Sequence, residues 1–391
     1  MARVCVIRQG FYPLDTRVRR EVHALAGAGH EVDVICVRRA GQRRQERRSG
    51  ITAYRLPLPL QRSDGRWRYL LQYGSFALAA GVLCSLLYLR RRWDVVQVNS
   101  MPDALVFAAA VPRLLGARVV LDLHECMPEF FAVKFGVPPG HPALRILAAV
   151  EQLSIRFADR VITCTEQMRE TFIARGAEPA KIAVVLNSAD ESIFDATRHP
   201  PARRRLDRFT LLCHGAIEHS YGIDTLLRAA ALLRDDIPGL HVEIFGDGTY
   251  RSEVGRLCDE LGLDGSVRVS DGWAPIDQLV AGIAEADVGI VAMRRNAFRD
   301  LTHCNKMFDF IAMRRPVVVS RTRAVEAYFH ESCFALFESG DERDLARAIR
   351  SLYDDPALRE RLVARAAEVS EPYRWVRQRE LYLSAATGSA E

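Results

Sequence analysis

Residues 3–37 read RVCVIRQGFYPLDTRVRREVHALAGAGHEVDVICV. The runs at 3–7 and 31–37 are short, apolar and rich in β-branched residues, as suits strands covered on both faces. Between them Val18, Val22, Leu25 and Ala26 fall on one helical face over 16–28, and Gly27 and Gly29 end that helix. Asp15 or Thr16 supplies its N-terminal cap. A helix interposed between two such runs makes them neighbours in a parallel sheet, because parallel strands need a long crossover.

The same alternation continues along the chain. Further strand-like runs lie at 51–56, 94–99, 118–123, 160–165 and 182–186. After a proline- and arginine-rich stretch, DATRHPPARRRLDR at 195–208, it restarts with runs at 209–214, 241–245, 267–270, 288–292, 316–320 and 333–337. With 391 residues, too many for one core, the expected organisation is α/β. Two tandem Rossmann-like domains are expected at 1–194 and 209–371, joined by a linker at 195–208. The segment 372–391 is expected to form a helix returning to the first domain. Ligands of open α/β sheets lie at the carboxyl ends of the strands, so the two domains are expected to enclose a cleft.

Composition narrows the partners. The net charge of +5 reflects 54 basic against 49 acidic residues, and much of the excess is local, in RRAGQRRQERR at 38–48 and RRR at 90–92. A nucleic-acid binder spreads basic charge over a domain or stripes it along a helix among aromatics, so no nucleic-acid partner is expected. Residues 38–48 read as a solvated loop. The nine cysteines show no CxxC and no metal spacing; they fit a reducing cytoplasm, and no metal ligand set is expected. The N-terminus lacks a signal-peptide core. Residues 69–89 carry no charge over a length that could span a bilayer. Strand-like runs on both sides belong to one sheet, so the segment reads as a helix packed on that sheet. Its arginine-flanked span 66–92 is expected to touch an anionic membrane peripherally.

Chemistry is sought in the loops after strands. His124 in LDLHECMPEFF follows the run 118–123, with Glu125 and Glu129 close by, and suits acid–base work or substrate binding. Gly10 opens the loop after the first strand, and Arg17 and Arg20 face either the cleft or solvent. The glycines of GDG at 246–248, Gly246 and Gly248, let backbone approach a ligand. The stretch THCNKMFDFIAMRRPVVVS at 302–320 places a helix from about Asn305 to Met313 directly before a strand. Its N-terminal amides and Lys306 suit a phosphate, and Asp309 suits sugar hydroxyls. Asn305 as a helix cap and Asp309 as a complement to the helix dipole is the alternative for those two residues.

With these residues in place, the chain resembles the retaining glycosyltransferases of family four, which have the GT-B fold. The resemblance rests on DTRVRREVHALAGAGHEVDVICVR, QVNSMPDALV, VLDLHECMPEFF, HGAIEHSYGIDTLLRAAALL, HVEIFGDGTYRSEV, VSDGWAPIDQLVAGIAEADVGIVAM and NKMFDFIAMRRPVVVS, in that order. Two of them are similar to a subgroup making bacterial surface polysaccharides. The resemblance implies a nucleotide-sugar donor held mainly by the second domain, through Gly215, Gly246, Gly248, Trp273, Cys304, Asn305, Lys306 and Asp309, with Gly10 contributing from the first. It implies His124, with Glu125, beside the reacting carbon, and an acceptor near Asp15, Arg17 and Glu129. The acceptor would be a saccharide or lipid-linked saccharide. A small soluble alcohol such as an aminocyclitol is the alternative, as is a non-catalytic protein that binds nucleotide sugar.

The pattern departs from the family at specific positions. Ala216 and Tyr221 stand where a pyrophosphate-clamping arginine and lysine are usual, and Lys306, Arg294, Arg295 or Arg299 would have to replace them. Leu301 stands where the first glutamate of a pair is usual, and Asp309 replaces the second. Retaining transfer with front-face attack, the leaving diphosphate taking the acceptor's proton, and no metal or other cofactor are the implied mechanism.

Overall fold

The computed structural model describes residues 1–60, 66–200 and 207–388, and side chains throughout these except at 66–70. Part of the expected linker, 201–206, lies outside them. The chain forms two compact units, Met1–Leu186 together with Val376–Glu391, and Asn187–Trp375.

The first unit is an eight-stranded sheet in the order β3-β4-β2-β1-β5-β6-β7-β8. Its strands are β1 (Arg3–Arg8), β2 (Glu31–Val37), β3 (Gln45–Arg48), β4 (Ile51–Leu56), β5 (Val95–Asn99), β6 (Arg118–Leu123), β7 (Arg160–Thr163) and β8 (Ile182–Val184). All neighbouring pairs are parallel except β3 with β4. That exception corrects the solvated loop expected at 38–48. QERR has no apolar period, so only pairing with β4 reveals it as a strand. All four of its residues are exposed, and charge on a sheet edge discourages further strands from adding there.

The helices are α1 (Thr16–Gly27), α2 (Arg66–Arg91), α3 (Ala110–Leu114), α4 (Met127–Phe135), α5 (Pro142–Phe157) and α6 (Glu166–Ala174). α1 begins where its sequence periodicity begins; Asp15 is the cap and accepts from Val18 N at 3.2 Å. α1 connects β1 to β2, whereas α2 to α6 serve crossovers running the other way along the sheet. Right-handed crossovers therefore put α1 on one face and α2 to α6 on the other. α2 buries Phe76, Ala80, Cys84 and Tyr88, one residue per turn. By length and hydropathy it could cross a membrane, but it is the crossover between two strands of one sheet.

The second unit is a parallel six-stranded sheet, β11-β10-β9-β12-β13-β14. It comprises β9 (Phe209–His214), β10 (Leu240–Phe245), β11 (Val267–Val269), β12 (Val288–Val291), β13 (Val317–Ser320) and β14 (Ala335–Phe337). Its helices are α7 (Ile223–Leu233), α8 (Arg251–Glu260), α9 (Ile276–Glu285), α10 (Asn305–Ala312), α11 (Arg323–Tyr328), α12 (Glu342–Asp354) and α13 (Pro356–Val369). α14 (Trp375–Thr387) then packs into the first unit: Gln378 Oε1 accepts from Leu186 N at 2.7 Å, and Tyr382 Oη donates to Gln97 Oε1 at 2.8 Å. Chain order reverses between β1 and β5 in one sheet and between β9 and β12 in the other. These are the switch points where α/β sheets bind ligands.

Candidate functional site

In the first unit, the carboxyl ends of β5 and β6 meet the start of α1 in a buried polar cluster. His124 follows β6 directly, and its Nε2 lies 2.9 Å from Asp122 Oδ2. Asp122 is fully buried and takes a bidentate pair from Arg17, at 2.8 and 3.0 Å. Asn99 Nδ2 donates to Asp122 and to Glu21 Oε2, each at 2.9 Å. Burial alone would raise the Asp122 carboxyl, but the charges of Arg17 and His124 outweigh it and hold the group far below the usual range. An ionised Asp122 can only accept, so Nε2 of His124 carries the hydrogen of this contact.

Glu21 balances the cluster. Burial, and then the charge of Asp122, push it up to about 8. Glu21 therefore keeps its proton in the folded protein between its ordinary 4.5 and about 8, while the unfolded chain has released it. Stability from this group is full below about pH 4.5 and declines as pH rises toward about 8. Glu21→Gln mimics the protonated acid. Its melting temperature should match the wild type near about pH 5 and exceed it near about pH 8; parallel wild-type and variant curves across that range would exclude a shared-proton cluster.

The remaining sequence-derived residues of this unit separate. Asp15 caps α1 and pairs with Arg8 Nε at 2.9 Å. Burial would raise its carboxyl, but Arg8 and then His124 bring it below the ordinary value, so it lies within electrostatic reach of His124. Gly10 sits in the β1 loop and donates to Arg8 O at 2.9 Å. Glu125 leaves one buried oxygen without a hydrogen-bond partner. Arg17 and Glu129, expected at an acceptor, are engaged internally: Arg17 is buried against Asp122 and Glu21, and Glu129 pairs with Arg175. An i, i+4 acid on α1 and an aspartate inside VVLDL account for the first correction. Glu129 lies in the first turn of α4, where it meets Arg175 of the segment after α6.

In the second unit, the loops after β9, β10 and β12 converge with the start of α10. A Cβ at Gly246 would sit 1.8 Å from Gly215 O, and one at Gly248 would sit 2.2 Å from Ile217 O. Glycine is required there for loop-to-loop packing, whatever else the loops hold. α10 is seated by Phe310, whose ring occupies the space a Cβ at Gly289 of β12 would need. This fixes Lys306. Its chain runs across Gly215, and its Nζ lies 3.8 Å from the ring centroid of Tyr221. The Arg299 guanidinium lies 5.2 Å from the same ring.

Arg294 is paired with Asp224 and Arg295 with Asp300, whereas Lys306 and Arg299 pair with no carboxylate among the described residues. Tyr221 thus collects two uncompensated cations at a position where the family resemblance calls for one cationic side chain.

The first amides of α10 point to the same place. Cys304 is its cap residue and makes no side-chain cap bond; Asn305 is the first helical residue, which corrects its reading as a cap. Uncapped N–H groups with an adjacent lysine form an anion site. Behind it, burial first and Lys306 second push His214 down to about 3, so it is neutral, with Nε2 3.7 Å from Asp309 Oδ2. Leu301 is buried, and neighbouring Asp300 is taken by Arg295 and by Arg323 N. Trp273, in the loop after β11, is exposed. No group of three or more His, Cys, Asp or Glu suited to a metal occurs among the described residues.

Sequence reading missed Asp122, Asn99, Glu21 and His214. Each is a polar residue at or near the end of an apolar run, or on the helix packed against one, and that is the signal that would have found them.

Residues 14–188 match the family described as glycosyl transferase 4-like domain, and 208–355 match glycosyl transferases group 1. A D-inositol 3-phosphate glycosyltransferase of Thermomonospora curvata is 28% identical over 271 residues, covering 64% of this chain and 61% of that protein. The lipopolysaccharide core biosynthesis glycosyltransferase LpsD of Rhizobium meliloti is 30% identical over 163 residues, 41% of this chain and 44% of its own. The chain thus spans less than two thirds of either relative. Among solved structures, Anabaena HepE in complex with UDP superposes with a TM-score of 0.73 at 14% identity over 100% of both chains. The chain belongs to the GT-B glycosyltransferases, with a glycosyl transferase 4-like domain followed by a glycosyl transferases group 1 domain.

Proposed function

We propose that this glycosyltransferase moves a hexosyl group, with retention of anomeric configuration, from a nucleoside diphosphate sugar to a lipid-linked saccharide in bacterial polysaccharide or glycoconjugate synthesis. The observation that carries the donor assignment is the pair of uncompensated cations, Lys306 and Arg299, held on Tyr221 beside the uncapped start of α10. Two cations and a helix N-terminus supply the charge that a diphosphate leaving group needs as it departs. The UDP complex of a protein with the same fold supports this reading. In this reading Asp309 is assigned to the ribose and Trp273 to the base, and His124, with Glu125, to the transferred sugar. Attack comes from the donor's front face: the acceptor oxygen bonds to the anomeric carbon, the bond to diphosphate breaks, and the diphosphate oxygen takes the acceptor's proton.

The LpsD relative supports a saccharide acceptor. The inositol phosphate relative favours a second reading, a small soluble polyol. Purified protein should be incubated with UDP-sugars, in EDTA, with a lipid-linked saccharide or a soluble cyclitol. Product with retained configuration on the lipid-linked acceptor is expected. Product on the cyclitol alone supports the second reading. Dependence on added metal overturns the assignment of charge neutralisation to Lys306 and Arg299, and no transfer from any nucleotide sugar overturns both readings.

A further inference from the structure

The outer face of the α2-to-α6 layer in the first unit is apolar where a soluble surface would be polar. α2 buries one side on the sheet, yet the opposite side presents Leu71, Leu78, Val82, Leu86 and Leu89, each more than half exposed. Their spacing follows the helix repeat, so they form a single stripe, about 27 Å long at 1.5 Å per residue. The turn at 103–109 and α3 lie alongside: a Cβ at Gly81 would sit 3.5 Å from Ala108 Cα, and Tyr88 Oη donates to Leu115 O at 3.2 Å. They add exposed Phe107, Val111 and Leu114, the last 85% exposed. Phe107 packs edge-on against Phe157 of α5 at 5.0 Å, and α5 adds exposed Ile146 and Leu153. The second unit, of similar size, exposes only Leu232, Trp273 and Ile276 among its large apolar residues described. Scattered exposed leucines are ordinary, but a contiguous apolar face is not.

Charge on this face identifies what covers it. Over 71–92, 103–117 and 142–157 the carboxylates are Asp103 and Glu151 alone, and both are buried. Arg90, Arg92, Arg145 and Arg156 are exposed on the same elements, and Arg113 is partly exposed, paired with Asp159. An apolar stripe edged by arginine, the adjoining exposed acid Asp159 already paired with Arg113, matches a bilayer surface of anionic lipid. Aliphatic side chains enter the acyl boundary there while guanidinium groups meet phosphate.

We propose that the face built by α2, the segment 103–114 and α5 docks this protein on anionic membranes, with α2 lying in the interface plane. The surface uses none of the residues assigned to the donor or to the chemistry, so docking is measured without donor or acceptor and stands or falls independently of the proposed transfer.

The test is co-sedimentation of the full chain with vesicles of phosphatidylcholine alone or mixed with phosphatidylglycerol, with light scattering for oligomeric state. Binding to the phosphatidylglycerol vesicles is expected, with little binding to phosphatidylcholine alone and a decline as salt is raised. Leu78→Ser with Leu86→Ser should reduce binding about tenfold or more, and Arg90→Glu with Arg92→Glu should abolish the preference for anionic lipid. All four side chains are exposed, so UDP binding and melting temperature should stay at wild-type values in both variants. Absence of vesicle binding, unchanged binding in either variant, or a wild-type dimer that Leu78→Ser converts to monomer would each overturn the proposal; the last would assign the face to a second copy of the chain.

Discussion

His124→Ala should lower sugar transfer by about 10²- to 10³-fold, the range for removing one preorganised polar group from a reacting centre, while UDP affinity remains at the wild-type level. The expectation follows from position. His124 stands at the carboxyl end of β6, and Asp122 fixes its ring through a 2.9 Å contact to Nε2. Asp122 is ionised because Arg17 and His124 outweigh its burial, so it accepts from Nε2 and holds the imidazole in one orientation. Asp122→Asn tests that chain of dependence. An asparagine leaves Arg17 buried against a neutral partner and offers Nε2 an ambiguous amide, so transfer should fall and stability should drop by about 3–5 kcal/mol. The readouts separate the roles: His124→Ala should change turnover with a smaller fall in melting temperature, because Arg17 still pairs with Asp122, and Asp122→Asn should change both strongly. Wild-type turnover in His124→Ala would remove the histidine from the chemistry.

Lys306→Ala should weaken UDP binding by about 10- to 150-fold, equivalent to the loss of one charged hydrogen bond of about 1.5–3 kcal/mol, and should leave uridine binding within about twofold. Titration of both ligands by calorimetry, at fixed ionic strength, makes the comparison. Arg299→Ala should show the same preference for the diphosphate with a smaller loss, because its guanidinium lies farther from Tyr221, at 5.2 Å against 3.8 Å for Lys306. Tyr221→Lys restores the cation usual in the family but removes the ring that gathers the other two. Equal losses for UDP and uridine in Lys306→Ala would show that the lysine does not meet phosphate.

Much of this was legible in the chain. α1 could be read residue by residue because its buried face, Val18, Val22 and Leu25, has helical spacing and its cap is an aspartate. Parallel strands buried on both faces appear as unbroken apolar runs, so nearly all of them could be placed. β3 could not, since an exposed edge strand is chosen by its neighbour and not by its own side chains. The donor loop at 302–320 was visible as lysine at a helix start, whereas its partner cations were ambiguous among Arg294, Arg295 and Arg299. Pairing decided among them: Asp224, distant in sequence on α7, neutralises Arg294, and Asp300, five residues on in the same loop, neutralises Arg295.

What the sequence determined by itself was therefore periodicity and local chemistry: an α/β chain of two sheets, its loops, and the residue types able to meet a phosphorylated sugar. Tertiary structure decided which charges remain available. Arg17 and Glu129, expected from the resemblance near an acceptor, are engaged in ion pairs within the first unit, while Asp122, at the end of an apolar run, is the residue that holds His124. Apolar patterning acts over neighbouring residues and is written along the chain. Charge compensation acts across space over a few ångströms, and only the folded arrangement of distant segments determines it.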